Sequence, residues 1–539
     1  MNASTNDREW WRGAAIYEIY PRSFQDSNGD GIGDLAGITR RLGYVADLGV
    51  DAVWIAPFFA SPMRDFGYDV SDYRAVDPLF GTIGDFDALV AEAHRLGLKV
   101  LIDQILSHSS DRHPWFAASR SGRGDPRSDW YVWADPDPDG TPPNNWQSVF
   151  GGPAWTWDAH RRQYYFHNFL REQPDLNLHN AAVQDELLST MAFWLERGVD
   201  GFRLDAVNHY FHDPLLRDNP PAALPPGRPA PTSPYAMQEH VYDKNQPEVL
   251  DFLSRIRRLT DAYPSAVLLG EIGEEARAIE LMSAYTAGDH RLHMAYSFDL
   301  LGTDFSAAFV RSRASRFAAG AGGGWPCWAF SNHDVVRQRT RLSQGRDEDS
   351  ISRLIASILI GLRGTICLYQ GEELGLTEAE IGFADLVDPY GKALWPAFKG
   401  RDGCRTPMPW TVNAPYGGFT AAKPWLPMPP EHIRLAMDTQ TGSETSMLAY
   451  YRRLLRLRSN EPALRRGDLD LIDAPDEVLA FTRRHAGDCL LCAFNLGARA
   501  QNLILPRGPW RELLSTPRAI AGNSVALEPL AAFFARLER

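Results

Sequence analysis

Three carboxylates close short apolar runs in this 539-residue chain: Asp205 in Gly201-Phe202-Arg203-Leu204-Asp205, Glu271 in Leu268-Leu269-Gly270-Glu271, and Asp334 in Phe330-Ser331-Asn332-His333-Asp334. An acid at the C-terminal end of a buried strand stands among loops instead of packed side chains, where barrel enzymes keep their reactive groups. Two such carboxyls can divide one task. One gives a proton to a leaving oxygen, and the other attacks or shields the oxocarbenium-like carbon formed when a glycosidic bond breaks. Arg203 lies two positions before Asp205, on the same strand face, so its guanidinium is expected to keep Asp205 ionised and oriented. Glu271 follows uncharged Leu268, Leu269 and Gly270, surroundings that raise a carboxyl pKa and retain the proton for donation. A single strand-end acid more often caps a loop or pairs with an arginine. Three of them, with Asn332-His333 beside Asp334 and His108 after another apolar run, favour one reactive site.

Something must bring these residues together, and the pattern of the chain says what. Strand candidates recur at Ala14 to Tyr20, Ala52 to Ala56, Val100 to Asp103, Gly201 to Asp205, Val267 to Glu271, His293 to Phe298, Trp328 to Asn332 and Thr365 to Tyr369. Helical patterns separate most of them. Between Asp85 and Leu96, Phe86, Leu89, Val90, Ala93 and Leu96 repeat every three or four residues, and Gly97 follows as a stop. Strand and helix alternating eight times predicts an α/β fold, a (β/α)₈ TIM barrel.

Two interruptions stand out. The stretch 104–179 is rich in Trp, Tyr, Asp, Pro and Gly, is too long for an ordinary loop, and is expected to form an inserted subdomain after strand 3. Pro214 to Pro234 carries eight prolines after the fourth strand, and reads equally as a stiff wall over the site or as a tolerated surface insertion. After a helix at Met447 to Arg458, short alternating runs predict a C-terminal antiparallel β-domain. The expected domains are therefore 1–103 with 180–463 (barrel), 104–179 (insert) and 464–539 (β-domain).

Composition narrows the partners. With 44% hydrophobic and 23% charged residues the chain is ordinary for a soluble protein. A net charge of -13 argues against nucleic acid or an anionic membrane as partner. Residues Met1 to Trp11 lack a basic stretch followed by an apolar one, no long apolar run follows, and the five cysteines are scattered, so a cytoplasmic location is expected. The lone pair in Cys489-Leu-Leu-Cys492 reads as two thiols on a strand, and Arg452, Arg453, Arg456 and Arg458 as the solvated face of a barrel helix. Gly320 to Gly324 lacks a following Lys-Ser/Thr and reads as a loop.

Seven motifs in order then carry a resemblance: Gly67 to Tyr73 (GYDVSDY), Asp103 to His108, Gln173-Pro174-Asp175-Leu176-Asn177, Gly201 to Asn208, Glu271, Asn332-His333-Asp334, and Tyr369-Gln370-Gly371-Glu372-Glu373. Over nearly its whole length the chain resembles family 13 of the glycoside hydrolases, the α-amylase family, and within it the bacterial α-glucosidases and oligo-1,6-glucosidases. The resemblance implies Asp205 as nucleophile, Glu271 as acid/base, and Asp334 as a third acid holding sugar hydroxyls. It implies that Arg203, His108 and His333 surround the glucose to be transferred, with Tyr68 under its ring. Asp65 and Arg401 match positions that grip a terminal sugar, and Phe150 and Phe169 match aromatic walls. No catalytic cofactor is implied. The expected partners are a small oligosaccharide or glucoside and hydroxyl acceptors, with the chain as monomer or homodimer.

One departure concerns metals. Ser107 stands where many amylases have a calcium-binding Asn, which argues against that site. Asp26-Ser27-Asn28-Gly29-Asp30-Gly31-Ile32-Gly33-Asp34 instead alternates oxygen donors around a glycine turn, as a hard cation requires, although Gly37 at the twelfth position rules out an EF-hand. A similar loop binds metal in oligo-1,6-glucosidases, which implies one structural Ca²⁺ or Mg²⁺ on Asp26, Asn28, Asp30, Ile32 and Asp34. The residue after the nucleophile is Ala206, where similar α-1,6-cleaving enzymes often carry Val. The smaller side chain leaves room for a differently angled aglycone, so an α-1,4 preference is expected. The function implied is a retaining exo-acting α-glucosidase with glucosyl transfer. An oligo-1,6-glucosidase, a sucrose- or trehalose-type isomerase, and more remotely a non-catalytic scaffold are the alternatives.

Overall fold

The computed structural model describes residues 8–538 except 224–230, 232, 275–276, 321, 323 and 516–519. Parts of three sequence features therefore lie outside the described residues: the N-terminal stretch before Arg8, the centre of the proline-rich segment, and two positions of the glycine run. Eight strands form one parallel sheet: β1 (Ala15–Ile19), β2 (Ala52–Ile55), β3 (Lys99–Gln104), β4 (Gly201–Leu204), β5 (Val267–Ile272), β6 (Met294–Ser297), β7 (Cys327–Trp328) and β8 (Thr365–Tyr369). Each pairs with its chain neighbours, β1 with β8, and a parallel bridge from Ala295 to Pro326 joins β6 to the start of β7 and closes the barrel.

The outer helices follow from local sequence. Ile83–Arg95 begins with a capping box in which the Thr82 hydroxyl accepts from Asp85 N and the Asp85 carboxylate accepts from Thr82 N, a cap contributing about 1 kcal/mol. Phe86, Leu89, Val90 and Ala93 are its buried stripe, and Gly97 leaves the helix at φ +81°. The helix Met447–Asn460 differs from expectation at one arginine. Arg458 is 2% exposed and donates to the carbonyls of Gly13 and Ile360, so the helix pins the barrel base through it rather than presenting it to water.

Strand alternation sorts the barrel wall into an inner and an outer face. Tyr17, Val53, Ile102, Leu268 and Leu368 point outward to the helices, while Ile16, Ala52, Leu101, Leu269 and Met294 fill the interior in a separate cluster. Two residues further along the same inner rows stand Glu18, Trp54, Asp103, Glu271 and Tyr296, all buried, with Arg203 beside them. The bottom of the interior is apolar and the top is charged.

Strand β7 is shorter than the expected Trp328 to Asn332. Ser331, Asn332 and His333 leave the ladder, and the turn they form is held by Ser331 Oγ accepting from Gln338 N, Asn332 Oδ1 accepting from Asp334 N, and the His333 carbonyl accepting from Arg405 Nε at 2.7 Å. This turn carries His333 and Asp334 into the barrel mouth.

After β3 the chain forms a three-stranded antiparallel sheet of Trp133–Ala134, Trp155–Asp158 and Gln163–Phe166. At the C-terminus, Asp468–Leu471, Val478–His485, Asp488–Asn495, Trp510–Ser515 and Ala532–Leu537 form a five-stranded antiparallel sheet. Cys489 and Cys492 lie on its Asp488–Asn495 strand as free, buried thiols. Among the described residues no helix is long and apolar enough to cross a membrane.

Candidate active site

Asp205 follows the last residue of β4, and Glu271 lies within β5, next to β4 in the sheet. Arg203, with 0% side-chain exposure, joins them: Nη1 lies 2.7 Å from Asp205 Oδ1 and Nη2 lies 2.5 Å from Glu271 Oε1. The same Nη1 is 2.7 Å from Asp103 Oδ1 on β3. One guanidinium thus serves three buried carboxyls. Glu271 also accepts from Tyr296 OH at 2.9 Å and from Ala206 N at 3.1 Å. Ala206 achieves this contact from the left-handed region, at φ 42°, which a β-branched residue would enter only at a cost.

Burial pushes the Glu271 carboxyl up to about 7 against the pull of Arg203, as its apolar sequence setting predicts. Asp205 does not contrast with it. Burial also pushes Asp205 up to about 7, opposed by Arg203 and reinforced by Asp103 and Asp334. The expected division, an ionised Asp205 beside a protonated Glu271, rested on Arg203 belonging to Asp205 alone. Because the arginine is shared, the pair titrates as a unit and retains a proton near neutrality.

Asp334 is held differently. Burial would raise its pKa, but His333, Arg401 and Arg405 around it keep it well below the usual carboxylate range. Arg405 Nη2 and Arg401 Nη1 reach Asp334 Oδ1 at 2.7 and 3.2 Å, and His333 Nε2 is 3.3 Å from Oδ2. Arg401 spans further, to Asp65 at 2.6 Å and to Asp388 at 2.8 Å. Gln173 Nε2 meets the other oxygen of Asp65 at 3.3 Å and His108 Nε2 at 3.2 Å.

These groups surround a cavity of about 350 Å³ that reaches Asp205, Glu271 and Asp334 together with Asp65, Tyr68, His108 and Arg401. Phe150 and Phe169 wall it, their rings 5.8 Å apart, with Tyr390 stacked on Phe150 at 4.7 Å. Among the described residues Arg203 and His333 stand behind this wall, fully buried, and act on the cavity through the carboxylates they touch. Tyr235, from the described end of the proline-rich segment, lines the cavity too.

The loop of the expected cation site is also well defined. Asp26 accepts from the N–H groups of Asn28, Gly29 and Gly31 and from the Thr420 hydroxyl, Asn28 Oδ1 accepts from Asp30 N, and Asp34 accepts from Ser27 N. Asp26 lies below the usual carboxylate range: burial raises it, but Thr420 and the three amides lower it more. The loop gathers oxygen donors on Asp26, Asn28, Asp30 and Asp34, the donor type a hard divalent cation takes, but among the described residues no group of three or more acidic, histidine or cysteine side chains is placed to hold a metal ion. Ser107, at the amylase-type position, instead bonds His108 Nδ1 at 2.9 Å and orients that ring.

Several members of the site carried no usable sequence signal. Asp103 was visible as a strand-end acid, and period-two spacing on β6 could have flagged Tyr296. Asp388 and Arg405 come from the long segment after β8, where no spacing rule links them to Asp334. Glu18 stands in the first apolar run, where its charge was the only cue.

Residues 18–467 match the alpha amylase catalytic domain, and the chain belongs to that family. It is 54% identical over 550 residues to a protein of Rhizobium meliloti (strain 1021) described as a probable alpha-glucosidase, covering all of both chains. An oligo-1,6-glucosidase of Heyndrickxia coagulans is 35% identical over 573 residues, with 98% of this chain and 100% of the relative aligned. Among solved structures, the alpha-glucosyl transfer enzyme XgtA superposes with a TM-score of 0.94 at 54% identity, over 98% of this chain and 99% of its own. The trehalulose synthase MutB from Pseudomonas mesoacidophila MX-45 gives 0.87 at 32%, over 98% and 99%.

Proposed function

We propose that this protein is a retaining, exo-acting α-glucosidase that releases α-glucose from the non-reducing end of short α-1,4-glucosides such as maltose and also transfers glucosyl to hydroxyl acceptors. The observation that carries this reading is the Arg203 bridge between Asp205 and Glu271 at the end of a cavity closed by the Asp65–Arg401 pair. A charged pair lining the cavity suits the hydroxyl-rich end of a sugar chain, and a retaining mechanism needs the Asp205 and Glu271 carboxyls about 5 to 5.5 Å apart. The probable alpha-glucosidase and the alpha-glucosyl transfer enzyme, each 54% identical to this chain, support the same reading.

In the first step an Asp205 oxygen attacks the anomeric carbon while Glu271 gives its proton to the departing glycosidic oxygen, leaving a glucosyl ester and a free alcohol. In the second, Glu271 takes a proton from water or an acceptor hydroxyl, whose oxygen displaces Asp205. Asp334 binds hydroxyls of the same sugar. Tyr68, His108, Phe150 and Phe169 shape the pocket around it. Sucrose isomerisation follows the same steps with released fructose as acceptor, and the MutB likeness makes it the second reading.

Initial rates on maltose, isomaltose, sucrose and trehalose, with the product anomer followed by NMR, test both. Maltose is expected to be fastest and α-glucose to appear first. Initial β-glucose would overturn the retaining mechanism, and isomaltose as best substrate would overturn the α-1,4 preference. The reading also includes a structural Ca²⁺ or Mg²⁺ on Asp26, Asn28, Asp30, Asp34 and the Ile32 carbonyl. Chelation followed by dialysis is expected to lower Tm by about 1 °C for each kcal/mol the cation contributes, with recovery on adding the cation. An unchanged Tm and no bound metal by elemental analysis would remove this part.

A further inference from the structure

Glu18 on β1 has no part in the chemistry above, yet it touches the group that does. It is fully buried, and its Oε1 lies 2.5 Å from His333 Nδ1. His333 is itself clamped between two rings, parallel to Tyr20 at 5.6 Å and to Tyr68 at 5.4 Å, so the imidazole cannot turn to exchange its nitrogens. Its other nitrogen, Nε2, lies 2.6 Å from Tyr68 OH and 3.3 Å from Asp334 Oδ2. The Tyr68 hydroxyl in turn reaches Asp103 Oδ2 at 3.2 Å.

These distances fix the protons. Arg405 and Arg401 hold Asp334 as a carboxylate, so a bare lone pair on Nε2 would face an anionic oxygen. A hydrogen on Nε2 satisfies both Asp334 Oδ2 and the Tyr68 oxygen, whereas a lone pair there would suit only a donating Tyr68 hydroxyl, and a neutral imidazole protonated at Nε2 has its lone pair on Nδ1. Only a donor can sit 2.5 Å from that lone pair, and Glu18 is a donor only when protonated. The second Glu18 oxygen agrees, since Oε2 has no hydrogen-bond partner among the described residues, a position costly for a buried charge and tolerable for a neutral carbonyl.

We propose that Glu18 is an un-ionised carboxylic acid that donates to His333 Nδ1, and so fixes His333 as an Nε2–H donor beside Asp334. The chain of donors then runs one way, from Glu18 to His333 to Tyr68 to Asp103. Asp334, which lines the cavity, then stands beside an imidazole held in one tautomer. Glu18 is a positioning residue acting through His333. Its surroundings support its neutrality. Burial raises it well above the usual carboxylate range, Arg203 opposes this, and Asp334 and Asp103 reinforce it; Tyr296 on β6 and Cys367 and Tyr369 on β8 are further titratable groups facing it. Burial, aided by Arg405, Arg203 and Arg401 and opposed by Asp334, holds the imidazole neutral, down to about 3.

The effect on turnover rests on Asp334 binding the sugar, as proposed above, but the protonation itself does not. The test therefore has two arms. In the infrared difference spectrum of wild type minus Glu18→Gln at pH 7, a protonated-carboxyl stretch is expected, and only carboxylate bands would overturn the proposal. In kinetics on maltose, Glu18→Gln, whose amide N–H still donates to Nδ1, is expected to keep kcat/KM within about threefold. Glu18→Leu, which cannot donate, is expected to lose at least about tenfold, the worth of one buried hydrogen bond. Equal loss in both variants would mean that the charge is required, and full activity in Glu18→Leu would mean that His333 needs no partner; either overturns the proposal. If Glu18→Leu does not fold, the infrared arm still decides. If the wild type does not cleave maltose, the proposed function fails while the infrared result stands.

Discussion

The two ends of the barrel interior are built from the same strands and differ by two residues of rise. At the base, Ile16, Ala52, Leu101, Leu269 and Met294 pack as an apolar plug. At the mouth, Asp103, Asp205 and Glu271 crowd around the single guanidinium of Arg203, with Glu18 nearby on His333. Both ends are dry, and the cost of dryness is opposite for them. Apolar side chains gain from leaving water at roughly 25 cal/mol per Å², whereas buried carboxyls lose unless each finds a partner. The mouth has more acids than cations, so it stays folded by keeping protons, and those retained protons are what a glycosidase needs.

Substitutions at either end should separate these roles. The largest effect is expected from Asp205→Asn, which removes the carboxylate oxygen proposed to attack: kcat/KM on maltose should fall by at least about 10⁴-fold with Tm little changed. Retention of most activity would show that Asp205 is not the nucleophile. Next is Arg203→Met, which strands Asp103, Asp205 and Glu271 without a counter-charge. Denaturant unfolding should show a loss of about 3–5 kcal/mol, and activity should collapse as well. A base variant breaks the comparison from the other side. Ile16→Ala should cost about 2–5 kcal/mol by leaving a cavity, and should leave the pH profile of the surviving folded enzyme unchanged. If the profile moves, the two ends are not independent.

The smallest effect sharpens the electrostatic account. Glu271 must be protonated to donate, and burial raises its pKa to about 7. Below that value the acid is present, and as pH rises through it the proton is lost. kcat/KM should therefore decline about tenfold per pH unit on the alkaline side of 7. Protonation of its partner Asp205 should produce the acid limb, and the two limbs belong to the pair rather than to either residue. An alkaline limb beginning near an ordinary carboxylate pKa would show that the cavity is wetter than its burial implies.

The residues that were legible in sequence share one property: their meaning is local. Short apolar runs announced β1 to β8, the three-and-four spacing from Phe86 to Leu96 with Gly97 after it announced a helix, and strand-end acids announced Asp205 and Glu271. Strand β7 was misread where His333 and Asp334 turn inward, because that turn is held by the Ser331 hydroxyl accepting from Gln338 N and by Arg405 donating to the His333 carbonyl, distant partners that no period reveals. Arg458 was misread for the same reason, its partners being carbonyls of Gly13 and Ile360.

By itself the sequence determined the barrel, the insertion after β3, the three acids and the direction in which Glu271 is shifted, since alternation and apolar flanks are properties of consecutive residues. Only the tertiary structure decided how the charges are shared: that Arg203 serves Asp103, Asp205 and Glu271 at once, that Arg401 ties Asp65 to Asp334, and that Glu18 stands behind His333. Coulomb energies and hydrogen bonds depend on distances of a few ångströms, and those distances are set by barrel closure between strands far apart in the chain.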